Sequence, residues 1–195
     1  MQISVDLSHK LEPGMQVYPG DPLFSCTRVA SIEKDSYAVQ ALSMGSHTGT
    51  HVDAPAHFFL GGKTIEQIPL TTFIGPALVI DLTHKGPREP ITWDDDLAAY
   101  APQMRAGRGA AEHIIATGVQ VVGVDALSPD ETRLDGAGSF GAHEVILGAG
   151  CIIAENLTNL DAIDSLDYVV HLVPLNITGS DGSPVRAFAL KNAYV

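Results

Sequence analysis

Thiols are scarce in this 195-residue chain: the two cysteines, Cys26 and Cys151, lie far apart and in no Cys-x-x-Cys arrangement. That excludes a disulfide-stapled scaffold and suits a reducing compartment. Both read as small buried hydrophobes, since nothing beside them would lower a thiol pKa. Basic residues are also few. Lys and Arg number 11 against 23 Asp and Glu, for a net charge of −12. A chain this acidic is repelled by phosphate backbones and anionic lipid, so neither nucleic acid nor a membrane surface is an expected partner. No apolar run approaches the roughly 18 residues needed to span a bilayer. The opening residues 1–8 carry neither a basic n-region nor an apolar h-region, so a cytoplasmic protein is expected. A Gly-x-Ser-x-Gly elbow and a phosphate loop are missing as well, which removes the usual signals of a serine hydrolase or a nucleotide site.

What is present is a globular composition, 45% hydrophobic and 17% charged, in a length that suits one domain over residues 1–195. Alternation predicts strands over 2–7, 24–32 and 37–44, with Glu33-Lys34-Asp35-Ser36 as a connecting turn. Thr64 to Gln67 reads as a short helical turn, and the apolar run 77–83 as a buried strand. Further on, helices are expected over 109–117, stopping at Gly118, and over 142–147, before Gly148. Strands are expected over 119–125, 151–154, 169–174 and 186–190. The pattern is mixed α/β. The stretch 85–108, rich in Pro, Gly and charge, reads as an exposed connection.

The chemistry concentrates in His47-Thr48-Gly49-Thr50-His51-Val52-Asp53-Ala54-Pro55-Ala56-His57. His47, His51, Asp53 and His57 share odd parity, so an extended chain would point all four to one face. Gly49 leaves room for a close backbone approach, and Pro55 stiffens the exit. Imidazoles with a carboxylate make a suitable set of ligands for Zn²⁺ or Mn²⁺. A second cluster pairs His143 with Glu155, across a short helix, a glycine turn and a strand; Glu155 stands where a buried strand ends, a place where a carboxylate needs a partner. His9, His84, His113 and His171 stand singly and carry no such signal.

The segment Ser46 to Phe58 resembles the HxGTHxDxPxH signature of the cyclase family, which includes bacterial kynurenine formamidases and isatin hydrolases. The likeness continues through Asp6-Leu7-Ser8, Tyr18-Pro19-Gly20-Asp21, Val122-Gly123-Val124-Asp125 with Ser128-Pro129, Glu155 to Leu160, and Gly182 to Ala187. The resemblance implies a swivelling β/β/α fold, a single domain with a mixed sheet core and few helices, commonly a homodimer with its site near the interface. It implies His47, His51 and Asp53 as ligands of one divalent metal. Asp53 would also face a second ion shared with His143 and Glu155, and His57 would be the catalytic acid/base. The substrate implied is a small amide, formamide or lactam. Two departures bear on that substrate. Tyr18 stands where kynurenine formamidases carry a tryptophan associated with the aromatic substrate, and residues 94–108 look abbreviated. The residues alone leave two other readings open: a metal-dependent lyase or cyclase acting on an enolisable carbonyl, and a non-catalytic structural metal site.

Overall fold

The computed structural model describes residues 2–86, 89–93, 109–132 and 139–192. The abbreviated stretch 94–108 lies outside the described residues, as does much of the connection expected over 85–108. In chain order the elements are β1 (Gln2–Asp6), β2 (Ser25–Ala30), α1 (Ile32–Asp35), β3 (Val39–Ser43), β4 (His51–Asp53), β5 (Ile74–Pro76), α2 (Ala110–Ala116), β6 (Val121–Gly123), α3 (Gly141–Gly148), β7 (Ile152–Glu155), β8 (Tyr168–His171), β9 (Gly182–Pro184) and β10 (Phe188–Asn192). Short 3₁₀ turns occupy Pro55–His57, Ile65–Gln67, Leu70–Phe73 and Leu160–Ala162.

Two four-stranded sheets and a helical layer stack as β/β/α. The outer sheet is antiparallel, in the order β1-β10-β8-β5; the inner sheet, in the order β6-β7-β4-β9, is mixed, with β6 and β7 parallel. The period-2 alternation of side chains explains the layering. Val52, Ile152 and Ala154 point from the inner sheet into a core shared with Leu7, Tyr168, Ala187 and Ala189 from the outer sheet side. Ile153, from the opposite face of β7, packs instead with Ile146 and Leu147 of α3 and with Ala111 and Ile115 of α2. Leu7, Val52, Ile152 and Ile153 are fully buried, and removing an aliphatic side chain from water contributes about 1.5–3 kcal/mol each.

The mixed α/β pattern with few helices is therefore observed, with corrections to individual elements. The run 77–83 is not a strand. The chain pairs only over β5, antiparallel to β8 with Pro76 opposite Val169, and β8 begins one residue away at Tyr168. The partner runs out, and Pro76 offers no amide donor. Val79 packs on the main core unpaired, and Ile80 packs against Trp93. The turn expected at 33–36 is one helical turn, α1, closed by Ser36 in the left-handed region (φ 64°). Helix α3 continues through Gly148, and the left-handed residue after it is Gly150 (φ 78°). Strand β9 carries no alternation signal and was not expected. Cys26 and Cys151 are half-buried, not core residues. The β2–β3 pair forms a sheet of its own with most of its side chains in solvent.

Candidate active site

Strand β4 is only three residues long, but it lies in the middle of the inner sheet and is wholly buried. Its register sets His51 opposite Glu155 of β7 and Asp53 opposite Ile153, with Gly182 of β9 beside Asp53 on the other edge. With Val52 committed to the core between the sheets, His51, Asp53 and Glu155 all face the helical layer. There His143 enters from the first turn of α3, held by the ring of Phe58, which stacks on it at 4.7 Å between centroids.

His47 and His57 arrive by a route that parity does not describe. The single extended run expected over 47–57 is broken on both sides of β4. Gly49 adopts a left-handed backbone (φ 68°), where a Cβ would stand 2.6 Å from Leu11 Cδ2. Its carbonyl accepts from His51 Nδ1 at 2.8 Å and from Asn156 Nδ2 at 3.1 Å. After Asp53, Pro55 starts a 3₁₀ turn that ends on His57, a position its fixed φ favours. Parity thus accounts for His51 and Asp53, and two turns deliver the other histidines.

The resulting distances centre on Asp53. Its Oδ1 lies 2.7 Å from His47 Nδ1 and 3.2 Å from His51 Nε2, and its Oδ2 lies 3.7 Å from His143 Nε2. Glu155 reaches His51 Nε2 at 3.2 Å and His143 Nε2 at 3.3 Å. A common pattern runs through three of the rings. His51 Nδ1 meets the Gly49 carbonyl, His143 Nδ1 meets Asp130 Oδ2 at 2.7 Å, and His47 Nε2 meets Asp181 Oδ2 at 3.1 Å. Each ring has one nitrogen tethered to an outer oxygen and the other turned on the central carboxylates. This is how metal-binding histidines are held by the shell behind them.

The central atoms are left wanting a partner. His51 Nε2, Asp53 Oδ2 and Glu155 Oε1 are buried without an aligned hydrogen bond, a costly state for polar groups in a protein interior. Potential ligand atoms of His51, Asp53 and Glu155 lie within 4.8 Å of one another, as do those of His47, Asp53 and His57. Imidazole nitrogens and carboxylate oxygens in this arrangement fit a divalent ion.

Charges reinforce one another here. Burial opposes the charged form of His51, but the carboxylates of Asp53 and Glu155 outweigh it and push the pKa up to about 10. His143 is likewise opposed by burial and raised to about 9 by Asp130 and Glu155. Burial also works against the charge on Asp53, yet His47 and His51 hold its carboxyl well below the usual range. His57 differs. Burial and the neighbouring His47 push its pKa down despite Asp53 and Asp181, favouring a neutral ring. It lines a cavity of about 340 Å³ whose walls include Tyr18, Phe58, Leu127 and Phe140, within the size range of small-molecule sites.

The family model described as "Putative cyclase" matches residues 5–106. The chain belongs to the cyclase family. Across 93% of its length it is 35% identical to a kynurenine formamidase of Paracidovorax citrulli and 32% identical to one of Delftia acidovorans, covering 94% of each relative. Among solved structures, the isatin hydrolase A of Labrenzia aggregata superposes with a TM-score of 0.81 at 22% identity, over 97% of this chain and 94% of that one. A protein of Bacillus stearothermophilus described as a "predicted metal-dependent hydrolase" gives 0.74 at 27% identity, over 98% and 100%.

Within this cyclase-family site the structure gathers every residue singled out beforehand: His47, His51, Asp53, His57, His143 and Glu155 around one centre, and Tyr18 on the cavity wall. Of the solitary histidines, His113 stacks on Trp93 and His171 on Phe188, and the His9 amide donates to Thr50 Oγ1 at 2.9 Å. Two carboxylates escaped the sequence reading, Asp130 and Asp181. Asp130 lies two residues beyond Ser128 and also caps α3, accepting from Ala142 and His143 amides at 2.8 and 3.0 Å. The Ser128-Pro129-Asp130 turn signal could have found it. Asp181 sits in the turn before β9, where Gly179-Ser180-Asp181-Gly182 marks only a bend.

Proposed function

We propose that the protein is a metal-dependent hydrolase of carbon–nitrogen bonds other than peptide bonds, acting on a small amide, formamide or lactam, with the whole chain as its hydrolase domain. The observation that carries this reading is the set of three tethered histidines aimed at Asp53 and Glu155. In it, His47, His51 and Asp53 would hold one ion, and Asp53, His143 and Glu155 a second. Zinc or manganese suits the donors, and two clusters of ligand atoms that both contain Asp53, one with His47 and His57 and one with His51 and Glu155, leave room for one or two ions per chain. The ions would supply water of lowered pKa and polarise the carbonyl of the substrate.

The chain's own residues do the rest. His57, neutral near pH 7, takes a proton from the attacking water and returns it to the departing nitrogen. Tyr18, Phe58, Leu127 and Phe140 receive the apolar part of the substrate and limit water around it. N-formylkynurenine is the first candidate, on the strength of the formamidase relatives, with isatin-like cyclic amides next. Kynurenine release from the metal-reconstituted protein, measured with and without a chelator, tests this. Rapid, chelator-sensitive release is expected. Folded, metal-loaded protein that releases none would move the substrate to lactams and isatin-like rings.

The protein is also read as a homodimer. A lone two-stranded hairpin is marginal in water, yet β2–β3 and its flanks expose Leu23, Val29, Ile32, Tyr37 and Leu42. A second copy covering this apolar surface accounts for it. Light scattering should give twice the monomer mass. Among the described residues no helix is long and apolar enough to cross a membrane.

A further inference from the structure

We propose that Asp181 is the positioning residue of the site: a single carboxylate that orients His47 through Nε2 and His57 through Nδ1, leaving His57 Nε2 as the basic nitrogen. The inference rests on the reading of His57 as the proton-transfer group and extends it to a residue outside the motif that carries the other ligands.

The geometry is specific. Asp181 Oδ2 lies 3.1 Å from His47 Nε2 and 3.4 Å from His57 Nδ1. The two rings lie against each other, with centroids 4.0 Å apart and 32° between planes, so one oxygen faces both, hydrogen-bonded to His47 and in ion-pair contact with His57. Room for this contact comes from the next residue. A Cβ on Gly182 would stand 2.6 Å from His47 Cε1 and 2.9 Å from the Val52 carbonyl, and no side chain fits there.

The turn that presents Asp181 is held by its backbone. The Asp181 carbonyl accepts from the Ala54 amide at 2.8 Å, and the Ser180 carbonyl from the Ile65 amide at 2.9 Å. The Gly179 amide donates to Glu66 Oε1 at 3.0 Å, and Ser180 Oγ donates to the Gly182 carbonyl at 2.6 Å. The side chain is 43% exposed, so it contributes no core packing. Its partners are the two histidines and the Ser46 hydroxyl, which donates to it beside His47. The amides of Ala54 and Ile65 flank the 3₁₀ turn that carries His57, so the same ties that seat Asp181 also set its distance from that ring.

A carboxylate at one imidazole nitrogen selects the tautomer and steadies the ring when the other nitrogen gains a proton. His57 therefore depends on Asp181 for its proton transfer, while His47 depends on it only for orientation.

The test compares wild type with Asp181→Asn and Asp181→Glu, both expected to fold because the backbone ties remain. Metal per chain is counted by mass spectrometry, steady-state constants are measured on the zinc-loaded enzyme, and ¹⁵N-histidine NMR reads imidazole tautomers with and without zinc. For Asp181→Asn the expected result is a fall in kcat of about 100-fold, in the range of lost acid–base assistance, with KM and metal content little changed. The His57 signal should leave its single Nδ1–H tautomer, and Asp181→Glu should recover part of kcat. An unchanged kcat, or a loss of activity that follows loss of metal while the His57 tautomer stays as in wild type, overturns the proposal. If wild type releases no amine from any formamide, the functional reading fails by itself, and the tautomer measurement still decides the role of Asp181.

Discussion

His51 and Glu155 face each other across the antiparallel β4–β7 pair, with Nε2 and Oε2 3.2 Å apart and out of hydrogen-bond alignment. Two groups of opposite preference are thus held in the interior with their best atoms turned toward a common point. The Glu155→Gln variant keeps volume and strand pairing but loses the charge. It is expected to fold with a Tm close to wild type, to bind fewer than the wild-type number of metal ions per chain, and to lose at least about 100-fold in activity, beyond the 10–100-fold typical of groups behind a metal shell. Metal analysis after dialysis checks it.

His57 separates chemistry from metal binding. Replacing it with Ala should lower kcat by about 10²–10⁴-fold, the range for general acid–base catalysis, while the metal content survives. Its ligand atoms also lie near those of His47 and Asp53. A parallel loss of metal would therefore assign His57 to the ligand set instead.

Gly182 is a steric prediction. The Gly182→Ala substitution puts a methyl into the space of the His47 ring and the Val52 carbonyl. The strand register leaves the backbone little freedom, so His47 must turn away. We expect weaker metal binding and low activity, with a destabilisation of about 1–3 kcal/mol from overpacking, measured by denaturant titration. Gly123→Ala provides a control. Its Cβ would press on Leu157 Cδ1 at 2.8 Å, a milder clash because the end of a leucine side chain can move aside, in the same sheet but away from the candidate metal ligands, and it should leave metal content intact.

The pH dependence of metal-free and metal-loaded protein should run in opposite directions. In the metal-free fold, His51 and His143 are raised to about 10 and about 9 from an unfolded value near 6.5. A raised folded pKa contributes stability that is fully present below about pH 6.5 and is lost as pH rises through the folded values. The melting temperature of metal-free protein should therefore decline between about pH 7 and 10. Metal ions must displace those same protons, so affinity should rise over that interval and binding should release protons. Calorimetry in buffers of different ionisation enthalpy measures that release. Affinity that falls with rising pH would contradict the assignment of these histidines as ligands.

Much of the site was legible in the sequence, and the reason is local. His51 and Asp53 are two residues apart, and the period of a strand is 2, so a common face follows from chain geometry alone. Glycine at 49 and proline at 55 read as a close backbone approach and a stiff exit within one extended run, and not as the turns that break that run on either side of β4. The apolar run 77–83 misled, because apolar composition reports burial and not pairing, and β8 offers no partner beyond Tyr168. Strand β9, three residues containing Gly182 and Pro184, has no pattern to read and exists because β4 has an open edge beside it.

What the sequence determined by itself is the identity of the candidate donors: an acidic, cysteine-poor chain with three histidines and an aspartate in eleven residues concentrates groups that suit a divalent metal. What only the tertiary structure decided is their arrangement. Register placed Glu155 opposite His51, helix α3 brought in His143, and turns remote in sequence supplied Asp130 and Asp181 behind the rings. Those contacts join residues up to 134 positions apart. They depend on which faces of two sheets and a helix layer are buried together, which no local periodicity encodes.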